Sequence, residues 1–340
     1  MPYVVATVVK VSGSTYRRPG ARVLITGEGT QTGLISGGCF ESELMERAIR
    51  AIETGKPATV TFDTTSADDL IFGLGLGCTG VAHILLEPYR GNQPNYLDFI
   101  AGCIQKRVSG LLVSIYQPAG GHLMIDATTH KTENIDNAEL IELLLKESRA
   151  VTGKAQWKQF SGPVEALIER ISLPLPLVIF GAGPDAVPLV RYAKQLGWHV
   201  TIVDKRPTFA RADRFPDADA VILTEPEQST PLEPDAVAVV MTHHFETDAG
   251  FLKRLLDSNI RYIGLLGPKA KAELLLQKLR DEGTAPTEEQ RARIFAPVGL
   301  DIGAETPEEI ALSIVSEIQA ICSGYSGGSL KHRAGPIHIR

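Results

Sequence analysis

Six residues constrain this chain most: Gly181-Ala182-Gly183-Pro184-Asp185-Ala186. They follow the apolar run Leu177–Phe180 and open an amphipathic stretch that reaches Leu196 and is stopped by Gly197. Gly181 permits a tight turn out of a strand, Gly183 lets a phosphate approach the backbone, and Ala186 lets a helix pack close to its sheet. The next apolar run, His199–Val203, closes on Asp204, where an acidic side chain would accept from a ribose hydroxyl. Short apolar runs at Ala220–Leu223, Ala236–Met241, Tyr262–Gly264 and Ile294–Phe295 alternate with helices. The last helix opens at Thr306-Pro307-Glu308-Glu309, a capping box with proline at its first position. Strands alternating with helices require a doubly wound parallel sheet, so residues 173–322 read as a Rossmann-like domain. Two residues weaken a pyrophosphate site there: Pro184 removes an N–H from the helix start, and Asp185 adds negative charge.

Ahead of this lies a mixed α/β domain, residues 1–172. Tyr3–Val9 is a near-continuous Val-rich run, the pattern of a strand covered on both faces. Ala21–Thr26 and Gln31–Ile35 read as a hairpin, and Glu41–Thr54 as a helix that carries Leu44, Ala48 and Ile52 on one face and stops at Gly55. Ala58–Phe62, Val81–Glu87, Leu111–Tyr116, His122–Asp126 and Val164–Glu169 read as strands, Tyr96–Arg107 and Asn137–Arg149 as helices. Pro88–Asn95 reads as a connection, and Leu173-Pro174-Leu175-Pro176 as a stiff linker between domains. No internal repeat is evident, and residues 323–340 form a Gly/Ser-rich, then basic, tail.

Composition narrows the function classes. With 34 Lys+Arg against 40 Asp+Glu, the net charge of −6 argues against a nucleic-acid binder. Nothing approaches the ~18 apolar residues of a membrane span, and no signal segment opens the chain, so no membrane is expected and the cytoplasm is. The four cysteines contain no C-x-x-C pair, which leaves disulfide frameworks, zinc ribbons and Fe–S clusters without support. Cys103 lies on the apolar stripe Tyr96, Phe99, Ile100, and Cys322 ends the last helix; both read as packing residues. Cys39 follows Ser36-Gly37-Gly38 at a helix start, where free N–H groups and the helix dipole lower a thiol's pKa. Cys78 sits in Gly73-Leu74-Gly75-Leu76-Gly77-Cys78-Thr79-Gly80, a run of N–H groups suited to an anion or a thiolate. Both positions suit a thiophilic metal or sulfur transfer, the alternative being small buried hydrophobes. Arg17, Arg18 and Arg22, in and after Gly13-Ser14-Thr15-Tyr16-Arg17-Arg18-Pro19-Gly20, form either a phosphate-gripping cluster or a solvated turn. His243, in Thr242-His243-His244 after a strand's C-terminal end, suits an acid/base, an anion contact or a helix cap.

Together GSTYRRPGARVLI, GLISGGCFE, GLGLGCTGV, VIFGAGPDA, VTIVDKRP, MTHHFETD, YIGLLGPK, PVGLDIGAETPEEIALSI and SLKHRAGPIH resemble the XdhC/CoxI family over nearly the whole chain. That family comprises accessory proteins that mature molybdenum hydroxylases such as xanthine dehydrogenase. The resemblance implies an α/β domain followed by a Rossmann domain, and binding of molybdenum cofactor (molybdopterin). It also implies support for sulfuration by a cysteine desulfurase, delivery to the hydroxylase apo-enzyme, and a homodimer. Cys39 and Cys78 match its cysteine motifs and would lie near molybdenum, with Gly37, Gly38 and Gly77 beside them and Arg17, Arg18 and Arg22 at the pterin phosphate. Gly181, Gly183 and Asp204 match its Rossmann fingerprint. One departure is that the family usually has a helix ahead of the first strand, whereas here the strand starts at Tyr3. No group is equipped for hydride transfer or hydroxylation, so a maturation chaperone is expected rather than the hydroxylase. Two rivals stay open: an NAD(P)-dependent oxidoreductase using Gly181, Gly183 and Asp204 with His243 as acid/base, and a non-catalytic subunit of a dehydrogenase complex.

Overall fold

A computed structural model describes residues 1–38, 40–63, 80–91, 93–160, 162–228, 232–233 and 235–334. The chain divides into two compact units, Met1–Leu173 and Pro174–Arg340.

Unit 1 is built twice on one plan. Strands β1 (Pro2–Gly13), β2 (Arg22–Thr26) and β3 (Gln31–Gly33), helix α1 (Glu41–Thr54), and strands β4 (Ala58–Asp63) and β5 (Gly80–Arg90) give an antiparallel sheet ordered β3-β2-β1-β5-β4. Helix α2 (Tyr96–Lys106) follows. Then β6 (Gly110–Gln117), β7 (Ala119–Ile125), β8 (His130–Glu133), α3 (Ala138–Arg149), β9 (Ala155–Gln159) and β10 (Glu165–Ile171) give a second antiparallel sheet ordered β8-β7-β6-β10-β9. The two sheets share strand order and helix position although no repeat is legible in the residues.

Alternation along β1 explains its unbroken apolar run. Val4, Ala6 and Val8 pack under α1 with Leu44, Ala48 and Ala51, while Val5 and Val9 face the second sheet, against Leu112 and Leu167. Helix α3 covers that sheet's other face, Leu144 packing with Val113, Ile115 and Leu123. Unit 1 is therefore layered helix, sheet, sheet, helix.

Strand β5 runs through Pro88, expected in a connection. Its neighbour β4 pairs only as far as Leu86, so the missing proline N–H falls beyond that strand's end. Strands β8 and β9 escape the sequence reading because they are polar edge strands with no buried face to impose alternation.

Unit 2 is a six-stranded, all-parallel sheet. Its strands are β11 (Pro176–Phe180), β12 (His199–Asp204), β13 (Ala220–Leu223), β14 (Val237–Val240), β15 (Tyr262–Leu265) and β16 (Ile294–Phe295), ordered β13-β12-β11-β14-β15-β16. Helices α4 (Ala186–Gln195) and α8 (Pro307–Ser323) cover one face through Leu189, Ile314 and Ile318. Helices α5 (Phe245–Leu256) and α6 (Lys269–Asp281) cover the other through Leu252 and Leu275. The short α7 (Glu288–Ala292) leads into β16. Thr306 caps α8 by accepting from the Glu309 N–H, as the capping box requires. Strand order reverses between β11 and β14, the position where such sheets hold ligands. Among the described residues no helix is long and apolar enough to cross a membrane.

Candidate functional site

The first sheet brings its motif loops to one end. Gly13 pairs with Gly80, Asp63 with Val81 and Val23 with Gly33, so β1, β3 and β4 finish where β2 and β5 begin. Connections 14–21, 34–40 and 64–79 all depart from that end, carrying Arg17 and Arg18, then Gly37, Gly38 and Cys39, then Gly77 and Cys78. Cys39, Gly77 and Cys78 lie outside the described residues. The corresponding connections of the second sheet are only 118, 134–137 and 160–164, and none carries a cysteine.

A small recess at this end is lined by Ser14, Tyr16, Arg17, Ser36, Phe40 and Gly80. Gly80 starts β5 hard against the first loop: a Cβ there would lie 2.5 Å from the Ser14 carbonyl and 2.7 Å from that of Ser12. Phe40 and Phe62 stack below, ring centroids 4.2 Å apart. Tyr16 is 54% exposed and runs along Gly37, where a Cβ would lie 3.4 Å from its ring. An exposed aromatic between two arginines and a double glycine was legible in the sequence only as part of a loop. Arg17 and Arg18 are exposed and have no carboxylate partner among the described residues.

Arg22 corrects the expected cluster. Its guanidinium forms a two-point pair with Glu169 of the second sheet, Nη1 to Oε1 at 3.1 Å and Nη2 to Oε2, and Nη1 also donates to the Gly20 carbonyl. Burial disfavours its charge, but the adjacent Glu169 outweighs this and the guanidinium's pKa rises. Arg22 therefore ties the sheets together and is spent before any phosphate arrives.

The start of α1 also holds a carboxylate that sequence reasoning missed. Gly38, with φ +111°, donates its N–H to Glu41 Oε1 at 2.9 Å, and the buried Ser36 hydroxyl donates to the same oxygen. Burial works against the ionised Glu41, but bonds from Ser36, Gly38 and the helix-start N–H groups win and hold its pKa below the ordinary value. The N–H groups expected to favour a thiolate at position 39 thus already serve a carboxylate. Cys103 is a packing residue, 3% exposed with its thiol pKa pushed up by burial, and burial likewise raises Cys322.

One further constellation resembles a nucleophile–base–acid chain. Ser114 Oγ lies 3.0 Å from His122 Nδ1, and His122 Nε2 lies 2.6 Å from Glu87 Oε1. Ser114 and His122 are each 1% exposed, so no substrate reaches them, and the chain instead joins β5 to β6 and β7 across the two sheets.

At the switch point of unit 2, Gly181 (φ +124°) has no room for a side chain, because a Cβ would lie 2.6 Å from the Met241 carbonyl carbon. A Cβ on Gly183 would lie 2.5 Å from Asp185 Oδ1. Asp185 Oδ2 is 2.6 Å from His243 Nε2, and His243 adopts the left-handed region, φ +59°, which is strained for a residue with a side chain. The turn is braced from behind. Thr242 donates its N–H and hydroxyl to Asp248 Oδ1 at 3.1 and 2.6 Å, and Lys271 Nζ lies 2.6 Å from Asp248 Oδ2. Asp204 is turned inward, Oδ2 accepting from the Ala182 N–H at 2.7 Å and both oxygens accepting from the Arg206 side chain. Burial opposes its charge, but Arg206 and the Ala182 N–H outweigh that and lower its pKa. Among the described residues no group of three or more metal-ligating side chains converges.

One family model matches within each unit. Residues 1–63 match a family model described as the XdhC and CoxI family, and residues 177–318 one described as the XdhC Rossmann domain. A Bacillus subtilis protein named as a probable xanthine dehydrogenase subunit is 34% identical over 319 residues, 93% of this chain and 92% of that one. The Escherichia coli molybdenum cofactor insertion chaperone PaoD is 23% identical over 94% of this chain and 83% of its own. A crystal structure described as a xanthine dehydrogenase from Bacillus halodurans superposes with a TM-score of 0.79 at 34% identity, covering 97% of this chain and 94% of that one.

Proposed function

The chain belongs to the XdhC and CoxI family, and from that membership we propose that it is an accessory protein of a xanthine dehydrogenase-type molybdenum hydroxylase. It binds molybdenum cofactor, supports its sulfuration by a cysteine desulfurase, and delivers the product to the apo-enzyme. It acts by holding and handing over a cargo, in the cytoplasm and as a homodimer. The relative named as a molybdenum cofactor insertion chaperone supports the class of cargo.

The observation that carries the reading is the departure of all three motif loops from one end of the first sheet. In this reading Arg17 and Arg18, which have no carboxylate partner among the described residues, hold the pterin phosphate. The N–H groups of Gly37 and Gly77 serve the anionic cargo in this reading, and that of Gly38 has no part in it, being given to Glu41. The thiolates of Cys39 and Cys78 meet the molybdenum or carry the transferred sulfur, as soft ligands and nucleophiles do. Arg22 has no part in it, being paired with Glu169.

Titration of the purified protein with molybdenum cofactor tests this. Stoichiometric binding is expected, weakened in Arg17→Ala and Arg18→Ala, and lost when Cys39→Ala and Cys78→Ala are combined. Binding unaltered in the double cysteine variant removes the thiols from the site, and no binding by the wild type removes the function.

A further inference from the structure

A Rossmann sheet implies a dinucleotide at its switch point, and the residues of unit 2 can be tested for that fit. A pyrophosphate needs open space beside the loop glycine, unused N–H donors at the helix start, and no competing negative charge. The space beside Gly183 is taken by Asp185 Oδ1, which is buried and has no hydrogen-bond partner among the described residues. The donors are largely spent: Gly181 N–H goes to the Val203 carbonyl at 2.8 Å, Ala182 N–H to Asp204, and Ala186 N–H to the Gly183 carbonyl at 3.2 Å. Pro184 has none to give. The negative charge is Asp185 itself, 2.6 Å from His243 Nε2 and therefore filling, with its own partner, the place a phosphate would fill.

The ribose end is equally occupied. Asp204 is 2% exposed, and its oxygens already accept from Ala182 and from the N–H and guanidinium of Arg206. Arg206 in turn lies over the Phe209 ring, 3.9 Å from its centroid. The glycines of the fingerprint are explained without any ligand, Gly181 by the chain at Met241 and Gly183 by the Asp185 carboxylate.

We infer that unit 2 is a Rossmann scaffold whose dinucleotide site is closed by its own Asp185–His243 pair, so that it binds neither NAD(H) nor NADP(H). This goes beyond the cargo-handling function of unit 1 and excludes the hydride-transfer reading of the same residues.

The test is titration of the full-length protein with NADH and with NADPH, followed by nucleotide fluorescence. The wild type is expected to show no saturable change up to about 1 mM, the upper end of ordinary cofactor affinities. Asp185→Ala, which removes the carboxylate, is expected to bind at least about tenfold more tightly than any response of the wild type. Asp185→Ser, smaller and uncharged but still able to cap the turn, serves if the alanine variant fails to fold; it too should gain binding. Saturation of the wild type below that limit overturns the inference. So do folded variants, judged by circular dichroism, that stay as inert as the wild type.

Discussion

Arg17, Arg18 and Arg22 stand within six positions of one another and are chemically alike, yet among the described residues only the third has a carboxylate partner. That partner is 147 residues away, so no local pattern could separate the three. The energetic consequence separates them cleanly. Removing the charge from Glu169 strands a guanidinium whose side chain is only 19% exposed, whereas trimming an exposed arginine strands nothing. Glu169→Gln should cost roughly 3–5 kcal/mol of stability, read as a lower urea midpoint, while Arg17→Ala and Arg18→Ala stay within about 0.5 kcal/mol of the wild type. Cofactor titration should rank them in reverse, with Arg17→Ala and Arg18→Ala weakened and any Glu169→Gln protein that remains folded binding normally. Equal unfolding costs for all three would mean that the pair does not hold the sheets together. Residue identity thus told which groups could bind a phosphate, and the fold decided which are free to.

Elements decide where those free groups meet. Gly80 begins β5 at the end from which the three loops depart, and the atoms a Cβ would meet there are backbone carbonyls of Ser12 and Ser14, which cannot rotate away as a side chain can. Gly80→Ala should therefore push β5 from β1 at that end, destabilising by about 1–3 kcal/mol as overpacking does and displacing the loop that carries Arg17. A loss of cofactor affinity together with a lowered melting temperature is the expected result. A folded variant with undiminished affinity would show that the loop's position is immaterial. Much at this scale was legible from the sequence. Helix α1 ends where Gly55 takes the left-handed cap, β1 shows a strand covered on both faces, and the alternation after residue 173 predicted the parallel sheet. What was illegible had a physical reason. Edge strands β8 and β9 bury too little to enforce a period, and Pro88 breaks a rule only where the neighbouring strand is still present. The duplication in unit 1 lies in strand order, which side-chain chemistry does not record. In the candidate site the residue types of all three loops were readable, but the end of the sheet they share follows from pairings such as Gly13 with Gly80.

Across the whole molecule, the excess of acidic over basic residues, 40 against 34, makes the response to pH depend on how the fold treats its carboxylates. Glu41, Glu165, Asp204 and Asp219 all have lowered pKa values, the first, third and fourth against the opposing effect of their own burial and Glu165 chiefly through the Tyr116 hydroxyl. For each, the unfolded chain takes up a proton before the folded one does. Their stabilisation is therefore complete above the ordinary carboxylate range near pH 4 and is lost as pH falls through their lowered folded values. His83 acts in the same direction but higher. Burial, then Lys10, lowers its pKa, so stability begins to fall once the unfolded imidazole protonates below about pH 6.5. Glu133 opposes both. Burial raises its pKa above the ordinary value, so the folded state takes the proton first and gains stability as pH falls through that raised value, until the unfolded carboxyl also protonates near pH 4.3. Asp126, Glu147, Asp213, Glu282 and Glu309 are lowered as well, so nine carboxyls and a histidine stand against one carboxyl and predict net loss on acidification, blunted just above the carboxylate range and steepest below about pH 4. Glu133→Gln, which keeps a polar group of the same size but cannot ionise, should raise stability at neutral pH and remove the blunting without altering the steep limb. Urea midpoints measured from about pH 7 down to about pH 3 read both effects, and a wild-type midpoint that went on rising below about pH 4 would show that the lowered carboxyls do not govern acid stability.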